Sequence, residues 1–96
     1  MTLHHPHLVN AEAMAEAHPD TFTVPDERND LKVGDFAKVC CNDERFWVKV
    51  MRAKEGIYVG AISNALVVPA NRKMKFGDMI EFAGCNVYQA ESPCEK

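Results

Sequence analysis

One eight-residue pattern occurs twice in this chain, and it restricts the fold more than any other feature. Lys32-Val33-Gly34-Asp35-Phe36-Ala37-Lys38-Val39 and Lys75-Phe76-Gly77-Asp78-Met79-Ile80-Glu81-Phe82 both read Lys, apolar, Gly, Asp, apolar, apolar, charged, apolar. Glycine at the third place supplies the left-handed or close-approach backbone of a turn. The aspartate after it can bond nearby amides while the chain extends. Beyond each glycine the period becomes two. Ala37 and Val39 then share one strand face, as do Ile80 and Phe82, while Lys38 and Glu81 take the other. Two strands entered by the same turn are expected.

Two further strand signals lie between the copies. Phe46, Val48 and Val50 alternate with Arg45, Trp47, Lys49 and Met51, behind a hairpin turn at Asn42-Asp43-Glu44. Ile57, Val59 and Ala61 alternate with Tyr58, Gly60 and Ile62, behind a turn at Lys54-Glu55-Gly56. Residues 65–68 form a short apolar run closed by Pro69, residues 71–75 a polar loop, and Val87-Tyr88 a final short strand. On the N-terminal side, Asn10 is a helix cap and Ala11 to Ala17 are strong helix formers. His18-Pro19 ends that helix, because proline disfavours helical geometry in the residue before it. Phe22 and Val24 then alternate with threonines, and residues 26–30 make one helical turn after Pro25. The expectation is a mainly β fold: a small SH3-like β-barrel of five to six short strands with a short N-terminal α-helix. An OB-fold is the rival, but no helical period falls between residues 45 and 90 to supply its usual middle helix. The chain divides into a flexible tail over 1–9, a helix and extended leader over 10–30, the barrel over 31–90 and a tail over 91–96.

Residues 22–88 resemble the YegJ-like family of small bacterial proteins, a domain of unknown function. The resemblance is carried by Leu31-Lys32-Val33-Gly34-Asp35-Phe36, Glu44-Arg45-Phe46-Trp47-Val48-Lys49-Val50, Tyr58-Val59-Gly60, Asn64 and the second Gly-Asp copy. Residues 10–25 are similar to the leader these domains carry. The resemblance implies a compact β-barrel, no established activity and no catalytic residues. Where many members have an acidic or amide-rich turn, this chain has Ser63-Asn64-Ala65-Leu66.

Composition bounds the function classes. Ninety-six residues make one domain, too short for two cores. No apolar run approaches the roughly 20 residues that span a bilayer. The opening Met-Thr-Leu-His-His-Pro-His has no basic cluster followed by an apolar stretch, so a cytoplasmic protein is expected, with no membrane partner. Cys40, Cys41, Cys85 and Cys94 show no Cys-x-x-Cys spacing. Adjacent Cys40 and Cys41 point to opposite strand faces, so reduced thiols are expected. The net charge of −3 is unevenly spread: residues 1–31 carry six acids and one base, and residues 32–76 carry nine bases and four acids.

That basic middle contains the candidate site. Trp47 falls outward between Arg45 and Lys49, where it could anchor a partner or stack a base. Its plainer reading is an aromatic covered by the helix or by the Phe22–Val24 segment, whose acids would face Arg45 and Lys49. The Asn64 turn and the loop bearing Arg72, Lys73 and Lys75 complete the surface. A protein or peptide partner is expected first. The alternative is single-stranded nucleic acid, held by the same patch with Lys38 and Arg52. His4 would become a third residue if Met1 were removed, which creates a nitrogen site for copper or nickel. A disordered tail is the favoured reading there, so no metal or other cofactor is expected. No small-molecule substrate is evident. All four histidines lie within the first 18 residues, and no carboxylate pair or nucleophile has a recognisable base, which argues against an enzyme.

Overall fold

Both Gly-Asp copies fold into the same turn in the computed structural model, which describes residues 3–92. Gly34 and Gly77 take φ of 100° and 91°, a region where a side chain would be strained. Within each turn the Asp amide donates to the Lys carbonyl, at 2.9 Å for both Asp35 to Lys32 and Asp78 to Lys75. The aspartate Oδ2 accepts in return from the Lys amide, at 2.9 Å for Lys32 and 3.2 Å for Lys75. Each turn is then tied to a neighbouring strand. Gly34 donates to the Val50 carbonyl and Val50 to that of Asp35; Gly77 donates to the Ile62 carbonyl and Ile62 to that of Asp78.

The strands are β1 (Leu3–His4), β2 (Phe36–Cys41), β3 (Glu44–Lys54), β4 (Ile57–Ile62), β5 (Met79–Ala83) and β6 (Gln89–Glu91), with one α-helix, α1 (Ala11–Ala17). They form one mixed sheet in the order β1-β5-β4-β3-β2-β6. Two-residue turns close the β2–β3 and β3–β4 hairpins. Asn42 and Asp43 take φ of 53° and 66°, and Glu55 and Gly56 take 52° and 81°. Paired positive φ values match the twist of the flanking strands. The sheet has β1 at one end and β6 at the other, and among the described residues these two do not pair to close a barrel. No helix among the described residues is long and apolar enough to cross a membrane.

The repeat extends into an approximate dyad. Phe36, Ala37, Lys38, Val39 and Cys40 face Lys49, Val48, Trp47, Phe46 and Arg45. Met79, Ile80, Glu81, Phe82 and Ala83 face Ala61, Gly60, Val59, Tyr58 and Ile57 in the same register. The Lys49–Ala61 pair sits at the centre, and rotation about it exchanges the Val48–Ile62 pair with the Gly60–Val50 pair. β3 and β4 therefore occupy equivalent places with no shared sequence pattern. A bulge between Val50 and Arg52 bends β3 beyond this centre.

Alternation places Ala37, Val39, Phe46, Val48, Val50, Tyr58, Ile62, Ile80 and Phe82 in one buried core, with Leu31, Met74 and Val87 from the connections. Tyr58 is 1% exposed, and its hydroxyl is used twice: it donates to the Arg28 carbonyl at 3.0 Å and accepts the Leu31 amide at 3.1 Å. The ring fills the core while the hydroxyl pins the leader to the sheet. Tyr58→Phe keeps the ring and strands a buried amide, so we expect a loss of about 1.5–3 kcal/mol. The check is a lower urea midpoint at unchanged m-value.

A second, smaller cluster lies under the leader. Ala11, Cys40 and Tyr88 are buried there, with Val9, Phe22 and Val24 packed against them. Asn10 caps α1 by accepting the Ala13 amide at 3.0 Å, and a helix this short gains its stability from such docking. Cys41 belongs to the main core and Cys40 to this second cluster, so adjacent thiols do point to opposite faces. Both are free, and burial, the first cause in each case, pushes both thiols above their ordinary range. Cys94 lies outside the described residues.

Two local details depart from the expected pattern, and a third, at 65–68, fills in what it left open. The 1–9 stretch contains β1, whose Leu3 and His4 run parallel to Met79 and Ile80. His4 Nε2 lies 2.9 Å from Asp78 Oδ2, and His5 Nδ1 lies 3.0 Å from Glu81 Oε1. The apolar run at 65–68 is not a strand, because the Val67 and Val68 amides donate to the Glu44 carboxylate rather than to a ladder. The last strand begins after Val87-Tyr88, and those two side chains are buried instead.

Candidate functional site

The outer face of the sheet is set by the alternation that buries its inner face. With Ala37, Val48 and Ile62 inward, Phe36, Lys38, Trp47, Lys49 and Ala61 must point outward. Trp47 is half-buried and lies directly across from Lys38, whose Nζ sits 5.4 Å from the centre of its ring. The same ammonium donates to Gln89 Oε1 at 3.2 Å. The cation thus stands over the aromatic face and tethers β6 to it.

Asn64 closes this corner from the other side. Its Oδ1 accepts the Trp47 amide at 2.6 Å, and Ser63 donates its amide to the Trp47 carbonyl at 2.8 Å. The chain leaving β4 therefore continues alongside Trp47 for two more residues. Between them opens a recess of about 300 Å³ lined by Phe36, Trp47, Ser63, Asn64 and Glu91. Lys49 adjoins it, since it faces Phe36 in register and follows Trp47 on the same face.

The other expected site residues are placed elsewhere. Arg45 lies across two rings, with Cζ 4.9 Å from the centre of Tyr88 and 5.5 Å from that of Phe22. The leader thus covers Cys40 rather than Trp47, because Phe22 packs on Tyr88, and Arg45 stays exposed at the edge of that cluster. A leader acid pairs within the leader itself: Glu12 Oε2 accepts from Arg28 Nε at 2.6 Å. Lys73 lines a different recess of about 240 Å³ with His4, His5, His7, Asn42 and Met74. Met74 belongs to the main core, so this recess opens on the inner side of the sheet, away from Trp47. Arg72 and Lys75 are exposed in the same loop and do not line the Trp47 recess. The expected basic surface is split between two faces.

The loop carrying these bases is anchored by Glu44. Its carboxylate accepts from the Val67 amide at 2.8 Å, the Val68 amide at 3.1 Å and Asn71 Nδ2 at 3.0 Å. The Asn71 side chain first, then the Val67 amide, hold the Glu44 carboxyl below the usual carboxylate range. A carboxyl depressed by folding adds stability above its unfolded value of about 4.3. That contribution is lost as pH falls through the lower folded value. On acidification, the Val67 and Val68 amides should lose hydrogen-exchange protection before the β2–β3 ladder does. Uniform loss across loop and ladder, or a Glu44→Gln variant with the same acid response, would contradict this account.

Asp78 is held below its usual range in the same sense, chiefly by the hydrogen bond from His4. Its partner imidazole is therefore engaged with a carboxylate. Thr2, whose amine would complete a terminal copper or nickel site once Met1 is removed, lies outside the described residues. Among the described residues no three His, Cys, Asp or Glu side chains are grouped to hold a metal ion.

Phe36 was within reach of the strand pattern, since Ala37 and Val39 inward put Phe36 outward. Glu91 carries no such signal, because it falls where the sequence reads as a tail. Comparison with protein-family models, curated proteins and solved structures finds no match to the chain.

Proposed function

We propose that this chain is a non-enzymatic interaction module that binds a protein or peptide through the outer face around Trp47. One observation carries the reading: the half-buried Trp47 and Phe36 line an open recess that the leader does not cover. Aromatic-lined grooves on small β domains take extended peptides in this manner. Single-stranded nucleic acid fits less well. Lys38 already stands over the Trp47 ring, Arg45 is laid against Phe22 and Tyr88, and Lys73 faces the other side. A continuous basic track beside a free aromatic is what a polyanion needs.

The proposal extends to the fold and the family. The order β6-β2-β3-β4-β5, with a 3-10 turn over Gly84–Asn86 before β6, supports an SH3-like barrel left open at its ends. The paired Gly-Asp turns support a YegJ-like domain. A cytoplasmic setting belongs to the same reading.

The test is selection of displayed random peptides on the full chain, each clone then measured against Trp47→Ala and Asn64→Ala. Supporting clones would lose about tenfold or more with Trp47→Ala, a loss near 1.4 kcal/mol, and change only a few fold with salt. Recovery of no Trp47-dependent clone, alongside oligouridylate that quenches Trp47 emission at low salt and releases it at high salt, would favour the nucleic-acid alternative.

A further inference from the structure

The polar groups around the Trp47 recess are mostly donors. Lys38 is above the ring, and Lys49 is beside Phe36, where opposed side chains in an antiparallel ladder lie about 4.5–5.5 Å apart at Cβ. Asn64 commits its Oδ1 to the Trp47 amide, which leaves the two hydrogens of its exposed Nδ2 for another acceptor. The Ser63 hydroxyl donates to the Ala61 carbonyl at 3.2 Å. Glu91 is the one carboxylate in the lining, and it stands across Phe36 on the β6 side. The recess thus has an apolar floor, the donors Lys49 and Asn64 on the side of β3 and the chain leaving β4 (with Lys38 above the ring tied to Gln89), and one acid on the β6 rim.

A ligand that satisfies all three features has an apolar side chain and an adjacent carboxylate. We infer, on the reading that this recess binds peptides, that its partner is an extended acidic segment. An apolar side chain enters between Phe36 and Trp47, and a neighbouring Asp or Glu carboxylate is held by Lys49 and the Asn64 carboxamide. Glu91 repels a carboxylate from the β6 rim, so it fixes which flank of the apolar anchor is acidic. Charge complementarity of this kind sets partner choice and register more than raw affinity. A basic segment would bring its cations against Lys38 and Lys49 and is rejected for the same reason.

The test uses three labelled nine-residue peptides with one shared Leu-Phe centre, flanked by Glu, by Gln or by Lys. Their binding to the full chain is followed by fluorescence anisotropy at low ionic strength. The Glu peptide should bind about tenfold tighter than the Gln peptide, since a hydrogen bond to a charged group carries that much. The Lys peptide should be weakest. Lys49→Glu changes an exposed side chain without touching the core, and it should reverse the order of the Glu and Lys peptides. Glu91→Gln should strengthen the Glu peptide. Equal Glu and Gln affinities, with binding still lost in Trp47→Ala, would overturn the acidic preference and leave the peptide-binding reading standing. A Glu peptide indifferent to both Lys49→Glu and Trp47→Ala would place its site elsewhere and overturn the inference. Failure of all three peptides to bind would overturn the inference and the reading beneath it.

Discussion

Asn71→Ala should destabilise the fold by about 2–4 kcal/mol, more than removal of any exposed side chain. Asn71 is the one buried polar or charged side chain among the described residues, 1% exposed, and every arm of its carboxamide is used. Nδ2 donates to the Cys41 carbonyl and to Glu44 Oε1, both at 3.0 Å, and Oδ1 accepts from Asn42 Nδ2 at 2.8 Å. These partners belong to the β2–β3 hairpin, so one side chain ties the long 63–78 connection to the far end of the sheet. Truncation strands the Cys41 carbonyl and removes the first cause of the low Glu44 carboxyl. A leucine of similar volume would leave the same orphans, so Asn71→Leu should be nearly as damaging. The melting temperature should fall on the order of 10–25 °C for a domain of this size. A shift within a few degrees would mean that water replaces the carboxamide.

Gly60→Val should be the second large loss, about 3 kcal/mol, with Gly60→Ala at about 1–3 kcal/mol. A Cβ at residue 60 would meet the Lys49 carbonyl at 3.0 Å, and Phe82 Cε1 and Val48 Cβ at 3.1 Å each. Two of these neighbours are core side chains, and the third is the backbone of the paired strand. Replacing glycine lowers the entropy of the unfolded chain and would by itself stabilise by about 0.4–1 kcal/mol. Crowding outweighs that gain here because no neighbour is the free end of a flexible side chain. A double-mutant cycle separates the two effects: Phe82→Leu should recover part of the Gly60→Ala loss, because the two changes share one contact. Strict additivity would assign the loss to the backbone.

The parts of the fold legible in the sequence were those governed by short periods. Ala37, Val39, Phe46, Val48, Val50, Ile80 and Phe82 are all buried, as their alternation requires, and Asn10 caps the helix it precedes. Side chains acting across long separations were not legible. Nothing local marks Glu44 as the anchor of residues 67, 68 and 71, so the apolar run at 65–68 carries no sign of how it is held. Val67 is in fact 77% exposed, because its amide rather than its side chain holds it in place. The candidate site was legible in part. Alternation alone put Trp47 beside Lys49 on the outer face. The joining of Phe36, Asn64 and Glu91 to it depends on the path of a loop and an edge strand, and the departure of Lys73 to the inner side depends on the same loop. The dyad was visible only in its outer members. Phe46 with Tyr58 and Val48 with Gly60 occupy equivalent places, but their side chains differ, so no repeated pattern marks them in the sequence.

The two halves of the sheet share a backbone plan but not a chemistry. Under the dyad, Lys38 corresponds to Glu81, Trp47 to Val59 and Phe36 to Met79. The aromatic recess is thus written on one half of a duplicated frame, and the other half carries in matching register a recess without an aromatic ring, lined by Arg52, Ile57, Val59 and Glu81 among others. For an engineer that half is a second address. Trp and Lys placed at positions 59 and 81 would occupy the backbone slots that hold Trp47 and Lys38, so the sheet itself would space a second aromatic site from the first, with its rim still to be built where β3 bulges and β1 runs parallel.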